Sequence, residues 1–372
     1  AEGKERTAVD KLVAGDLGVT VKLKNGHSNN TLNSKGVERK IEPDHFRLQD
    51  QRTVYPGKWR RYAVGENTPQ KKLVLTVDQQ AKGSAYELNH PLWLILKKLS
   101  SEKFKATSYI RYLNPTIQSV VMRPQTDQLG APLAWAPYTN LKAKVLLRRG
   151  TLDALAALVL YWHDAKTRND HPQAEAVATS IYHMLLLIGW DMRSRQLHTG
   201  LFSLFRAEIF DKTIWEEGCF AVDNDTFEIS ICLLHNCFDS NSDKERMKAS
   251  DWRKEMTRIQ ELLAGDKGFD IRFAMKPFCL PQWNFGPPSR NEVVQWEIHR
   301  RHWAWGWDCL LHNRIGKFPE NSIDNVDPDD NWALEREEDI YLRINQLHWN
   351  PIPESAAIIQ YGRITYCQRS SH

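Results

Sequence analysis

The sequence predicts an α+β protein in which a basic, strand-rich N-terminal region, 1–150, is followed by an acidic, mainly α-helical region, 151–372, with a small β insertion. Three observations support this prediction. Strand-like alternation is prominent in the first 85 residues, apolar residues recur at helical spacing after residue 151, and the net charge changes sign between the regions. A chain of 372 residues is long enough for two domains or one large domain.

Two stretches of the N-terminal region predict strands. "LGVTVKLKNG" (17–26) alternates apolar and polar residues and ends on Asn-Gly, which is typical of a hairpin turn. "KKLVLTVDQ" (71–79) alternates in the same way. We therefore expect both stretches to be half-buried strands.

One helix and several shorter pieces follow. "NHPLWLILKKL" (89–99) predicts a helix, because Asn89 or His90 can cap it and Pro91 suits its first turn. "TSYIRYLNP" and "IQSVVMRP" predict short strands that end at prolines, and the proline-punctuated residues 123–139 predict a loop or linker.

From residue 151 the pattern becomes helical. "TLDALAALVLYWHDAK" (151–166) has a threonine cap and an acidic first turn, and "HPQAEAVATSIYHMLLLIGW" (171–190) carries an apolar stripe. The short link between them predicts an antiparallel pair. "TGLFSLFRAEIFDKTIW" (199–215) continues the helical pattern.

The remaining segments predict a mixture of elements. "CFAVDNDTFEISICLL" (219–234) predicts a β-hairpin around Asp-Asn-Asp, and "FDIRFAM" (269–275) predicts a strand. A charged helix is expected at about 242–264, and a last helix near "LEREEDIYLRINQLHW" (334–349).

The stretch "HRRHWAWGWDCLLH" (299–312) is rich in residue types that bind metals. On a helix, however, His302 and Cys309 are two turns apart, roughly 10 Å, so they cannot both hold one ion. They share a face with apolar residues, and the tryptophans form a second apolar stripe. We therefore predict a central core helix in which Arg300, Arg301 and Asp308 need polar partners.

The formal net charge of +4 conceals a strong asymmetry. Residues 1–150 carry 26 Lys and Arg against 13 Asp and Glu, whereas residues 151–372 carry 24 against 33. Most of the excess lies in 51–150, with 17 basic and 5 acidic residues. Such an imbalance favours a polyanionic partner.

Basic and aromatic residues also alternate within this window, in "YPGKWRRYAV" and "YIRYLNP", and "VLLRRG" adds a third basic cluster. Cations contact phosphates, and aromatic rings stack on unpaired bases. We predict a non-enzymatic nucleic-acid-binding protein or nucleoprotein-complex subunit, for DNA or RNA. The predicted contacts are Lys58, Trp59, Arg60, Arg61, Tyr62, Lys71, Lys72, Arg111, Lys142, Lys144, Arg148 and Arg149. For any one cluster, the alternative is a buried aromatic ring surrounded by arginines.

The doublet His163-Asp164, at the end of an apolar helix, resembles the metal-binding doublet of HD-type phosphohydrolases. The resemblance covers these two residues and implies a metal-dependent hydrolase. In this chain Ala165 and Lys166 follow the doublet. At this place the family usually has a short stretch that contains glycine or lysine. The alternative is a polar helix end, where a cationic histidine is favoured.

Other function classes lack sequence support. The chain contains no P-loop, no G-x-G-x-x-G, no G-x-S-x-G and no H-E-x-x-H motif, so we assign no catalytic residue, cofactor or metal. No apolar run is long enough for a bilayer span. The six cysteines include no C-x-x-C pair, which favours reduced thiols and a cytoplasmic protein. In the nucleic-acid hypothesis, the acidic helical half would dock protein partners or fold back on the basic half. A protein–protein scaffold whose two halves neutralise one another remains a further alternative.

Overall fold

The computed structural model describes residues 47–49, 52–54, 61, 69–80, 83–101, 103–125, 133–194, 197–215, 219–239, 252–277, 279–280, 290–312 and 314–320. These residues are mostly helical. The helices are α1 (Lys71–Gln80), α2 (Ser84–Leu88), α3 (Pro91–Lys98), α4 (Pro115–Val121), α5 (Asn140–Arg149), α6 (Leu152–Thr167), α7 (His171–Ser194), α8 (His198–Glu208), α9 (Asn224–Asp239), α10 (Trp252–Ala264), α11 (Asp270–Ala274) and α12 (Arg290–Leu311).

Short 3-10 helices and strands complete the described elements. The 3-10 helices are Ala106–Tyr112 and Phe210–Lys212. The strands are β1 (Arg47–Gln49), β2 (Arg52–Val54), β3 (Met122–Pro124), β4 (Leu133–Trp135), β5 (Cys219–Phe220) and β6 (Cys279–Leu280). They form the antiparallel pairs β1–β2, β3–β4 and β5–β6.

The strand predicted over 71–79 is wrong, because these residues form helix α1. Leu73, Val74 and Val77 are buried, which is helical spacing, whereas Leu75 is 52% exposed although strict alternation would bury it. The predicted strand at 17–26 lies outside the described residues.

The strand predictions for 107–115 and 117–124 are also largely wrong. Residues 106–112 form a 3-10 helix, and α4 begins at Pro115 after Asn114, whose side chain accepts a hydrogen bond from the Thr116 backbone N–H. This cap and the proline favour a helix over the strand preference of the β-branched residues. Only Met122–Pro124 is extended, paired with β4 inside the predicted loop.

Helix α3 is confirmed, with the predicted cap at His90. The His90 Nδ1 atom accepts a hydrogen bond from the Leu92 backbone N–H at 3.1 Å. The Nε2 atom of the same ring lies 3.4 Å from Asp153 Oδ2, in the first turn of α6.

Asp153 connects α6 to several N-terminal segments. Its carboxylate also accepts hydrogen bonds from Tyr86 Oη at 2.5 Å and from the Asn114 backbone N–H at 2.9 Å. Burial opposes ionisation, but hydrogen bonds from His90, Tyr86 and Asn114 outweigh it and hold the pKa of Asp153 below its usual value. The same carboxylate therefore fixes α2, α3 and the start of α4 against α6.

Helices α5, α6 and α7 form the centre of the described structure. Thr139 caps α5 and Thr151 caps α6, as predicted for Thr151. Gly150 ends α5 with a φ of 54°, in the left-handed region that glycine tolerates best. Helix α6 is buried on almost every side and packs along α7, and both helices are confirmed.

The hairpin predicted near 219–234 and the strand predicted over 269–275 are wrong. Helix α9 begins after Asp223, whose Oδ1 atom accepts a hydrogen bond from the Thr226 N–H at 2.7 Å, so the acidic cluster caps a helix. The strand β5 pairs instead with the distant β6. Residues 270–274 form the short helix α11, which packs against α12.

Helix α12 confirms the predicted core helix. Trp303 is 6% exposed and Trp307 is fully buried. The approach to α11 is close at Gly306, where an added Cβ atom would lie 2.6 Å from the backbone of Asp270 and Ala274. The predicted charged helix is described from 252 to 264, and the predicted last helix lies outside the described residues.

The polar residues of α12 have the partners that the sequence requires. Arg300 Nη1 lies 3.3 Å and Arg301 Nε lies 3.6 Å from the carboxylate of Glu297. Asp308 pairs with Arg314 and with His312. Among the described cysteines, Cys232 and Cys309 are buried.

One hydrophobic core contains residues from both sides of position 150, including Leu146 and Leu155. The division into regions 1–150 and 151–372 stays a prediction. Within the described ranges, no helix combines the length and apolar character needed to cross a bilayer.

Candidate nucleic-acid interface

The predicted contact residues are only partly described. Lys58, Trp59, Arg60 and Tyr62 lie outside the described residues. Arg61 is exposed, and Lys71 and Lys72 are exposed in the first turn of α1.

Arg111 and Tyr112 form a combined cationic and aromatic surface at the end of the first 3-10 helix. Arg111 Nη2 donates a hydrogen bond to Tyr112 Oη at 2.8 Å, and its guanidinium carbon lies 4.9 Å from the centre of the Tyr112 ring. The Tyr112 side chain is 50% exposed. The pair therefore presents a charge and a flat ring to solvent in one place.

Helix α5 carries four predicted contact residues: Lys142, Lys144, Arg148 and Arg149. Its sequence, NLKAKVLLRR, contains no acidic residue. Ala143, Leu146 and Leu147 face the core, so the cations occupy the outer surface, where Lys144 and Arg148 are one turn apart. This outer surface, Lys142 to Arg149, is called the basic face of α5 below.

Gln260 of α10 fixes α5 in place. Its side-chain amide donates to the Lys144 carbonyl oxygen at 2.8 Å, and its Oε1 accepts from Arg148 Nε at 3.1 Å. Gln260 itself is 5% exposed. A buried amide therefore anchors the α5 backbone at Lys144 and orients the Arg148 guanidinium.

Like charges meet at the N-terminal end of α5. Lys142 Nζ donates to the Pro137 carbonyl oxygen at 2.7 Å. Partial burial lowers the pKa of Lys142, and the positive charge of Arg123 lowers it further. A bound anion would relieve this repulsion.

The basic face borders a cavity of about 640 Å³ between α5, α7, α10, α11 and α12. Lys144, Arg272 and Lys276 contribute cations to its wall, and none of the described residues that line it is Asp or Glu. Phe273 and His302 also line it, with parallel rings whose centres are 4.2 Å apart.

His183 of α7 also lines this cavity. Its Nε2 atom is inaccessible to solvent and has no hydrogen-bond partner. Burial lowers the pKa of His183 to about 4; a hydrogen bond with the Met275 backbone opposes this shift, and the charge of Arg272 adds to it. The ring is therefore neutral at pH 7.

The two residues of the HD-like doublet lie against different neighbours. His163 packs edge-on against the Phe104 ring, with centres 4.5 Å apart, and burial lowers its pKa. Asp164 pairs with Arg168 at 3.2 Å. In the part of the chain that the structure describes, no three His, Cys, Asp or Glu side chains are grouped so that they could hold a metal ion.

No family model matches the chain, and no curated protein or solved structure is significantly similar to it. Interpretation of the surface therefore depends on its geometry and charge.

Arg272, Lys276 and His183 are not among the contact residues predicted from the sequence. Arg272 and Lys276 are four residues apart, which is one helical turn, but the strand prediction for 269–275 concealed this spacing. No local signal indicates His183, because its role depends on the packing of α7 against α11.

Proposed function

We propose that this protein is a non-enzymatic nucleic-acid-binding protein, or a subunit of a nucleoprotein complex, that holds the phosphate backbone of DNA or RNA through its basic N-terminal half. The observation that carries the proposal is the basic face of α5, with four cations and no acidic residue over ten positions. Phosphate neutralisation by such cations provides most non-specific affinity.

Two further features support the proposal. The Arg111–Tyr112 pair offers a phosphate contact beside an exposed ring, and stacking of a base on an aromatic ring is worth ~1–3 kcal/mol. The repulsion between Lys142 and Arg123 favours an anionic partner at the other end of the surface.

The proposal extends to partners and compartment. The acidic region 151–372 would contact other proteins of the complex, and the predicted strands before residue 60 would extend the basic surface. The buried Cys309 thiol suits the reducing cytoplasm.

The test is salt-graded binding of the full chain to single- and double-stranded DNA and RNA. We expect the logarithm of the binding constant to fall linearly with the logarithm of salt, by about 0.9 per phosphate neutralised on duplex DNA. The double variant Arg111→Ala/Arg149→Ala should lower the affinity and make the slope shallower by about 2.

A matched control removes the same charge elsewhere. Arg206 and Lys212 pair with Asp211 and Glu208, so Arg206→Ala/Lys212→Ala also removes two positive charges. This control should bind like the wild type. The absence of salt-sensitive binding to all four nucleic acids would overturn the proposal.

A further inference from the structure

The cavity beside the basic face has the size of a small-molecule site. Its volume of about 640 Å³ lies within the range of roughly 300–1,000 Å³ that ligand pockets occupy. Five helices surround it, so its wall combines groups that are distant in the sequence.

The charge of the cavity wall favours a phosphate group. Lys144 comes from α5, Arg272 comes from α11, and Lys276 comes from the link between α11 and β6. The Arg272 guanidinium carbon lies 5.6 Å from the centre of the Phe269 ring, a cation–π contact at the tip of this side chain. Because no described lining residue is acidic, a dianion suits the combined charge of the wall.

His183 adds a polar side chain to the cavity wall. The His183 ring is hydrogen-bonded to the Met275 backbone, and its Nε2 atom is buried without a hydrogen-bond partner. A buried polar atom normally has a hydrogen-bond partner. A ligand with a hydroxyl or amino group beside its phosphate would supply one.

The aromatic side chains of the wall suit a flat ring. The Phe273 and His302 rings are parallel to within 1°, and Trp303 and Tyr138 also line the cavity. The Tyr138 hydroxyl is fixed by Ser180 Oγ at 3.0 Å, so this ring keeps its orientation.

We propose that this cavity holds one nucleotide unit, with its phosphate among Lys144, Arg272 and Lys276 and its sugar or base against Phe273 and His183. The unit is either a free nucleoside monophosphate or the phosphorylated end of a strand. The choice of a nucleotide over other phosphate esters rests on the proposed function.

Calorimetric titration of the full chain with the four ribonucleoside monophosphates, their nucleosides and inorganic phosphate tests the proposal. At least one monophosphate should bind at least about 10-fold more tightly than its nucleoside and than phosphate, as one charge-assisted contact implies. Equal binding of phosphate alone would indicate a plain anion site, and no binding of any monophosphate would exclude a nucleotide site. Either result overturns the proposal.

Two variants and one control locate the site. Lys144 is exposed, so Lys144→Met should preserve the fold and weaken monophosphate binding about 10-fold. His183→Phe keeps a ring and removes both ring nitrogens, so it should weaken binding only of ligands that hydrogen-bond to His183. Arg206→Met, on α8 and outside the cavity wall, should bind like the wild type. Equal binding by Lys144→Met and Arg206→Met would place the ligand elsewhere and overturn the proposal.

Oligonucleotides with and without a 5′-phosphate separate the two sources. Displacement of the monophosphate only by the phosphorylated strand indicates a strand end, and displacement by neither indicates a free nucleotide; both support the cavity proposal. Binding of polynucleotides without any monophosphate binding would overturn the cavity proposal and leave the proposed function intact. Monophosphate binding without any polynucleotide binding would support the cavity proposal and overturn the proposed function.

Discussion

Replacing Gln260 by methionine should both destabilise the protein and weaken its contact with nucleic acid. Methionine fills a similar volume but cannot form the two hydrogen bonds that hold α5 to α10. The side chain is buried, so water does not replace the lost contacts freely.

The magnitude follows from the two bonds. The bond to the Lys144 carbonyl oxygen joins neutral groups at a buried position, and such a bond contributes about 1 kcal/mol. The bond from Arg148 involves an exposed guanidinium that water can solvate, so about 0.5 kcal/mol is appropriate. We therefore expect the free energy of unfolding to fall by about 1.5 kcal/mol.

Urea denaturation measures this loss, with the slope of the transition unchanged because the surface exposed on unfolding is the same. Gln260→Glu is the matched comparison. It keeps an acceptor for Arg148 but places a carboxylate oxygen against the Lys144 carbonyl oxygen, so it should be at least as destabilising as Gln260→Met. A loss below about 0.5 kcal/mol in both variants would show that α5 is held by its apolar contacts alone.

Three further outcomes follow from the packing and the buried groups. Gly306→Ala forces a Cβ atom to within 2.6 Å of the α11 backbone. Overpacking against backbone costs up to about 3 kcal/mol, which outweighs the roughly 1 kcal/mol gained in helix propensity, so the melting temperature should fall; an unchanged melting temperature would contradict the close approach. Because the pKa of Asp153 is lower in the native state than in the unfolded chain, ionisation of its carboxyl group stabilises the native state. This stabilisation is complete above the ordinary aspartate pKa of about 3.9 and is lost as the pH falls through the native pKa. Asp153→Asn should therefore lose stability at pH 7 and show a flatter stability profile below pH ~4; parallel profiles would disprove the role of the carboxylate. Burial raises the pKa of the Cys309 thiol to about 11, so a thiol reagent at pH 8 should modify it only after unfolding, and rapid labelling of the native protein would show that it is accessible.

The sequence predicted the elements in which local and tertiary signals agree. For α6, the Thr151 cap, the acidic first turn and the apolar residues all indicate a helix, and α12 is likewise apolar on two sides. For α1, alternation in "KKLVLTVDQ" indicated a strand, but the burial of adjacent Leu73 and Val74 requires a helix. For α9, the aspartates that suggested a turn are cap residues.

The candidate site also contains residues that the sequence identifies and residues that it does not. The charge imbalance identified Lys144, Arg148 and Arg149 as exposed cations, because charge and exposure go together in most sequences. Gln260 and His183 were not identifiable, since each acts across more than 80 positions of the chain, on α5 and on the segment after α11. Only the packing of the helices brings these groups together.

The carboxylate of Asp153 limits where this chain can be cut. A fragment that ends at residue 150, where the net charge changes sign, would keep every cation predicted to contact nucleic acid. It would lose the acceptor that Tyr86, His90 and Asn114 share, and with it the α6 surface on which α3 packs. A boundary after α6, at residue 167 or later, retains both the Asp153 carboxylate and the α6 surface. Truncation experiments that aim to isolate the basic half should therefore include the first helix of the acidic half.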